Sequence, residues 1–191
     1  MIDKELIDQL IEGDEPAFRM VVEEYKRTVL NCCFRFVKNY ETAEDLTQDV
    51  FVEVFRSIKK FKGNSKLSTW IYRIAVTKSI DYLRFQKRKK RFAFLSSLSG
   101  EDQMEELIIK DNGNNPEIEL ERKERIRVLN LVMDSLPENQ KVAFTLSKYD
   151  EMSYKEIADI LATTVSAVES LIHRAKNNLE NKLYKYYKKI I

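Results

Sequence analysis

Only four glycines and three prolines punctuate the 191 residues of this chain. A β-sandwich, a barrel or a Gly-rich nucleotide-binding fold needs many tight turns, and tight turns draw on those residues. What the sequence offers instead is apolar side chains at helical spacing nearly throughout, with no segment of convincing strand alternation. The expected fold class is all-α. Hydrophobic residues make up 43% of the chain, which is enough for a core and excludes a disordered tail. The length suits one ordinary domain or two small ones.

Other classes fall quickly. No stretch approaches the ~18 consecutive apolar residues of a membrane-spanning helix, so direct membrane insertion is not expected. The opening Met1-Ile2-Asp3-Lys4-Glu5 is charged, with no apolar run behind it, and no secretory leader is expected. Cys32 and Cys33 are adjacent, and neighbouring cysteines rarely bridge. Two thiols with one histidine cannot build a zinc site, so no metal is expected. The reading is a reducing, cytoplasmic setting with both thiols packed in the first domain. One histidine, no Gly-rich phosphate loop and no G-x-S-x-G leave little catalytic machinery, so neither an enzyme nor a cofactor is expected.

Net charge is +2, but the charges are segregated. Lys59 to Arg91 holds twelve Lys/Arg against Asp81, a net +11 over 33 residues. Glu41 to Arg56 carries −4, Ser99 to Glu124 carries −6, and Leu171 to Lys189 carries +5. Two basic blocks separated by an acidic one suggest two surfaces for a polyanion. The first block also interleaves Phe61, Trp70, Tyr72, Tyr82 and Phe85, the pattern of a nucleic-acid surface rather than a merely solvated helix face.

The organisation follows from the same spacing. Asp14 is placed to cap a helix with Pro16 just inside, running to about Val37. Thr42-Ala43-Glu44-Asp45 reads as a capping box, followed by one stripe of Ala43, Leu46, Val50, Val54 and Ile58. Ser68 or Thr69 is the expected cap of a third long helix, Trp70 to about Lys89, with Leu67, Ile71, Ile74 and Ala75 facing inward. Residues 96–118 are rich in Ser, Gly, Asn and acids, and read as a flexible acidic linker between domains at 1–95 and 119–191. The second unit is expected to hold helices at about 119–135 and 138–148, a capping box at Ser153-Tyr154-Lys155-Glu156, and a last helix from Thr164 or Val165 to about Tyr187.

Residues 153–176, SYKEIADILATTVSAVESLIHRAK, make a helix-turn-helix. Ala158 is small where the helices must cross, and Val165 and Val168 are expected to pin the second helix so that its other face enters a major groove. That face presents Thr164, Ser166, Ala167, Glu169, Ser170, His173, Arg174 and Lys176. Short polar side chains at a helix N-terminus reach phosphates through backbone N–H groups as well as base edges.

The whole chain resembles the extracytoplasmic-function (group IV) sigma factors of bacterial RNA polymerase. Three stretches carry the resemblance in order: EDLTQDVFVEVFRSI (44–58), FKGNSKLSTWIYRIAVTKSIDYLR (61–84) and LPENQKVAFTLSKYDEMSYKEIADILATTVSAVESLIHRAKNNL (136–179). It implies that 1–95 is sigma region 2 and 119–191 sigma region 4. By this resemblance 44–58 docks on the clamp helices of the polymerase largest subunit through Asp45, Gln48, Asp49 and Phe51. Residues 61–91 would open the promoter and capture the −10 element. There the loop holding Lys62, Asn64, Ser65 and Lys66 takes an extruded base, Trp70 stands at the helix start, and Arg73, Lys78, Arg84, Lys87 and Arg88 meet phosphates. Residues 153–176 match the −35 reader. The resemblance also implies contact with the flap of the second-largest subunit, and an anti-sigma factor.

Three positions depart from the family pattern. Ala162 stands where a turn glycine is usual, Glu169 where Lys or Arg is common, and Val76-Thr77 where an Arg-Asn pair is common. Glu169 cannot attract phosphate but can accept from a cytosine amine. Two rivals remain at this level. A helix-turn-helix regulator acting without polymerase explains 153–176 but not the acidic helix or the aromatic-basic block. A nucleic-acid enzyme needs clustered acids for metal, and Asp81 alone does not supply them.

Overall fold

The computed structural model describes residues 4–96 and 116–188, with side chains placed for 5–89 and 122–188. Every regular element among them is helical. The chain divides into two compact units, Met1–Leu107 and Ile108–Ile191. Most of the expected linker, 96–118, lies outside the described residues. At its edges, Ser96 still belongs to a helix and Pro116 already starts the next one.

The first unit holds α1 (Lys4–Glu12), α2 (Glu15–Val37), α3 (Tyr40–Ser57), a 3-10 turn (Ile58–Lys60) and α4 (Leu67–Ser96). Asp14 caps α2 as expected: its Oδ1 accepts the Ala17 N–H at 2.7 Å, and Pro16 sits in the first turn where no N–H is needed. The cap of α3 is Asn39 rather than Thr42. Asn39 is extended (φ −124°, ψ 128°), and its Oδ1 accepts the Thr42 N–H at 2.8 Å. Thr42 is therefore inside the helix, and the box read from Thr42 to Asp45 does not form. Helix α4 likewise starts earlier than expected. Leu67 is 5% exposed, so the core draws in the first turn, and Thr69 is buried rather than capping.

Helix α2 packs on α3 and α4, which pack on each other. Val21, Val29, Val50, Val54 and Ile71 are at most 1% exposed. Burying each is worth ~1.5–3 kcal/mol. The expected α3 stripe, Ala43 to Ile58, is buried at every position. Ala43 and Ala75 are fully buried and small, letting backbones approach. Cys33 on α2 lies in hydrogen-bond reach of Thr47 on α3 and Ser79 on α4. Both hydroxyls also donate within their own helix, Thr47 to Ala43 at 2.7 Å and Ser79 to Ala75 at 2.8 Å.

The second unit holds α5 (Pro116–Asp134), α6 (Glu138–Tyr149), α7 (Tyr154–Leu161) and α8 (Val165–Lys188). Helix α8 is its hub and packs on the other three. Val128, Val132, Met133, Leu136, Ala175 and Leu179 form one apolar cluster. Polar links surround it. Asn178 donates to Gln140 at 2.8 Å, Lys182 to Ser135 Oγ at 2.6 Å, and Tyr186 to Glu124 at 2.9 Å. Lys141 is 7% exposed and pairs with Asp134 at 2.7 Å.

Two measurements check this core. Burial pushes both the Cys32 and Cys33 thiols up from their ordinary value. Both should resist a thiol reagent at pH 8 in the native protein and react within seconds in denaturant. Burial, and secondarily Cys32, raise the Tyr72 phenol to about 12, against a smaller opposing effect of Arg35. A raised phenol favours folding fully below pH 10 and loses that contribution as pH rises through about 12. Urea titrations from pH 9 to 12 should show on the order of 1–2 kcal/mol more loss for wild type than for Tyr72→Phe.

Candidate nucleic-acid interface

Between the 3-10 turn and α4 the chain makes a loop, residues 61–66. Phe61, 9% exposed, anchors its start, and its ring lies 5.4 Å from Trp70. Gly63 has φ +70°, with open space where a Cβ would stand, so the constraint is backbone conformation rather than room. The loop borders a pocket of about 800 Å³ whose other wall is α1 and Tyr25. Ser65 and the two flanking lysines, Lys62 and Lys66, line it, whereas Asn64 is exposed and absent from the lining.

On α4, Trp70, Arg73, Thr77, Asp81, Arg84 and Arg88 fall on one stripe at three- and four-residue spacing. Trp70 is half-buried against Phe61, so it both supports the loop and shows one edge to solvent. Arg73, Arg84, Lys87 and Arg88 are exposed. Arg84 pairs with Asp81 at 3.2 Å. Lys78 points to α3 and pairs with Glu53 at 3.6 Å. The interleaved aromatics are mostly packing residues. Phe61 and Tyr72 are buried and Tyr82 is partly covered, while Phe85 is 54% exposed. Val76 is core and Thr77 donates to the Arg73 carbonyl at 2.8 Å, so neither stands free as a polar reader.

Helix α3 exposes Asp45, Gln48 and Asp49. Phe51 is 6% exposed, a core residue whose ring cannot meet a partner. Its neighbour Val52, at 46%, and Phe55, at 54%, are the exposed apolar members of the acidic face. The spacing 45-48-52-55 could have found them, since it is a single helical stripe. Phe55 is held on its inner edge by Phe18, ring to ring at 5.2 Å.

In the second unit the expected capping box forms at Ser153. Its Oγ accepts the Glu156 N–H at 3.3 Å, and the Glu156 carboxylate accepts the Ser153 N–H at 3.1 Å. Ala158 is 5% exposed, as a crossing residue must be. Ala162 ends α7 in the left-handed region, φ 50° and ψ 49°. The Thr163 N–H donates to Ala158 O at 2.9 Å, and the Ala162 N–H to Asp159 O at 3.4 Å. This is the hydrogen-bond pattern of a glycine cap made with alanine. Thr164 caps α8, accepting the Ala167 N–H at 3.2 Å.

Ser166, Glu169, Ser170, His173, Arg174 and Lys176 are exposed on α8, and Ala167 is half-buried. Arg174 Nε donates to the Ser170 carbonyl at 3.2 Å, and His173 Nε2 lies 3.1 Å from Asn177. Val168 and Ile172 pin the helix, but Val165 does not. It is 43% exposed because it opens α8, where the chain still faces solvent. Among the described residues no group of His, Cys, Asp or Glu could hold a metal, and no helix is long and apolar enough to cross a membrane.

Two helical units, one with a cationic helix beside an acidic one and the other with a helix-turn-helix, define a DNA-binding transcription factor. Residues 21–89 match the Sigma-70 region 2 family, and residues 126–179 match Sigma-70, region 4. The ECF RNA polymerase sigma-E factor of Haemophilus influenzae is 32% identical over 183 residues, covering 96% of each chain. That of Escherichia coli K12 is 31% identical, covering 96% of this chain and 95% of its own. The chain belongs to the ECF sigma factors of RNA polymerase. Among solved structures, CnrH in complex with the cytosolic domain of CnrY aligns with a TM-score of 0.65 at 22% identity, covering 96% of this chain and 97% of that one. The sigma factor RpoE of Bartonella quintana, in complex with the anti-sigma factor NepR, gives 0.61 at 17%, covering 87% of this chain and 96% of that one. Both likenesses speak for the fold.

The turn gives a test. An alanine in the left-handed region costs ~1–2 kcal/mol, which exceeds the ~0.5–1 kcal/mol that glycine adds to the unfolded chain. Ala162→Gly should therefore stabilise the second unit by about 0.5–1 kcal/mol, read from urea titration followed by circular dichroism.

Proposed function

We propose that the α3 face carrying Asp45, Gln48, Asp49, Val52 and Phe55 docks on the clamp helices of the polymerase largest subunit. The loop at Lys62 to Lys66 and the stripe of α4 then hold the opened −10 element, and the exposed start of α8 reads the −35 element. The observation that carries this reading is the pairing, within one small unit, of an acidic-apolar helix face with a cationic one. Carboxylates suit a basic protein surface, whereas Lys62, Lys66, Arg73, Arg84, Lys87 and Arg88 suit phosphates. A duplex-only regulator has no use for the first. Phe51 acts here as packing that holds the helix, not as a contact.

The chain does this without catalysis. Exposed bases stack and pair against protein groups at ~1–3 kcal/mol each, which offsets an unstacking cost of a few kcal/mol per base. Opening therefore follows from binding, with no nucleotide hydrolysis by this chain. Glu169 favours cytosine through its amine at one −35 position, and Arg174 and Lys176 hold the backbone. The second unit meets the flap of the second-largest polymerase subunit. The protein works in the cytoplasm, and an anti-sigma factor silences it by covering the same docking faces.

Run-off transcription with purified core polymerase on genomic fragments should give discrete starts only when this chain is added. Asp49→Lys and the pair Val52→Ala/Phe55→Ala should each weaken core binding by about 1–3 kcal/mol in a polymerase pull-down, with binding of the chain to duplex promoter fragments unchanged. Starts that do not depend on the chain, or core binding untouched by these variants, would overturn the reading.

A further inference from the structure

The pocket beside the 61–66 loop is built by two parts of the chain more than thirty-five residues apart. Lys62, Gly63, Ser65, Lys66, Leu67 and Ser68 form one side. Ile7, Asp8 and Ile11 of α1, with Tyr25 of α2, form the other. Helix α1 is held there by Leu10, which is 4% exposed, and it packs on both α2 and the 3-10 turn. The two isoleucines and Leu67 supply apolar walls, and Tyr25 adds an aromatic one. At about 800 Å³ the space is a half-open cleft with room for one base and its sugar. Among the described residues that line it, Asp8 is the one carboxylate. It lies outside the loop, on the exposed side of α1.

We propose that Asp8 is a specificity-determining residue of this pocket, selecting an extruded base that presents an amino group and rejecting thymine. This rests on the reading that the loop holds an unpaired base of the opened strand. An ionised carboxylate is acceptor-only. It pairs with the exocyclic amine of cytosine, adenine or guanine. Thymine offers the carboxylate only its N3–H, flanked by two carbonyls that the charge repels, and so pairs less well than a base with an exocyclic amine. Lys62 and Lys66 at the loop hold the flanking phosphates, so the cost of one anion near DNA is offset locally. Helix α1 thereby takes part in choosing the sequence, although nothing in its composition is basic enough to bind DNA.

The test uses the full chain and a randomised nine-nucleotide single-stranded DNA library, with enrichment read by sequencing. Asp8→Asn and Asp8→Ala probe the carboxylate. Ile11→Trp, which fills the pocket, locates the library position that the pocket reads, and circular dichroism checks that each variant is folded. The expected result is one position at which thymine is depleted at least tenfold with wild type. That preference should vanish with Ile11→Trp and fall at least fivefold with both Asp8 variants, other positions being unchanged. If Ile11→Trp erases the preference and the Asp8 variants leave it intact, the role of Asp8 is overturned and the base pocket stands. If wild type shows no positional preference, or Ile11→Trp does not alter it, the pocket reading fails and this inference with it.

Discussion

Everything the first unit displays depends on how closely α2, α3 and α4 approach at Cys33, Thr47 and Ser79. These are small side chains with modest polarity, and they sit where three helices meet. Thr47 and Ser79 return their protons to carbonyls one turn back in their own helices, so neither hydroxyl is left unsatisfied in the core. A larger residue at any of the three would push a helix outward and rotate its exposed face. The acidic face of α3 and the cationic face of α4 are therefore held in register by a contact that touches neither polymerase nor DNA. Chemistry at the surface is set by size in the interior.

Two α4 cations that the family resemblance assigns to phosphates make exposed ion pairs in this structure. Lys78–Glu53 and Arg84–Asp81 are ion pairs between side chains 35–60% exposed. Such pairs are worth ~0–1 kcal/mol. A phosphate arriving in a cationic groove brings a fuller charge and releases counterions. On the proposed reading, exchanging Glu53 or Asp81 for a phosphate therefore costs little.

Much of the fold was legible from the sequence because helical spacing and capping chemistry are local. Asp14 with Pro16, the stripe from Ala43 to Ile58, and the box at Ser153 and Glu156 all form as read. What was not legible required tertiary knowledge. Asn39 wins the cap of α3 from Thr42, since two plausible caps three residues apart cannot be ranked without the incoming chain direction. The resemblance implies Phe51 as a docking contact, but α3 is covered by both α2 and α4, so Phe51 is core and Val52 is the exposed neighbour. Phe61 and Tyr72 read as stacking surfaces but are needed as core. The pocket joins residues 7–11 to 61–68, and no local pattern announces a wall supplied by a different helix.

Helix α8 divides its circumference between two duties. Val168, Ile172, Ala175 and Leu179 are buried and hold the second unit together, while Ser166, Glu169, Ser170 and His173 face outward over its first turns. Exchanges on the outward arc leave the apolar seam untouched and so carry little thermodynamic penalty. On the proposed reading of that arc as the −35 contact, descendants of this molecule can acquire new promoter tastes by single substitutions without first becoming more stable, and lineages that share the scaffold are free to diverge in which genes they switch on.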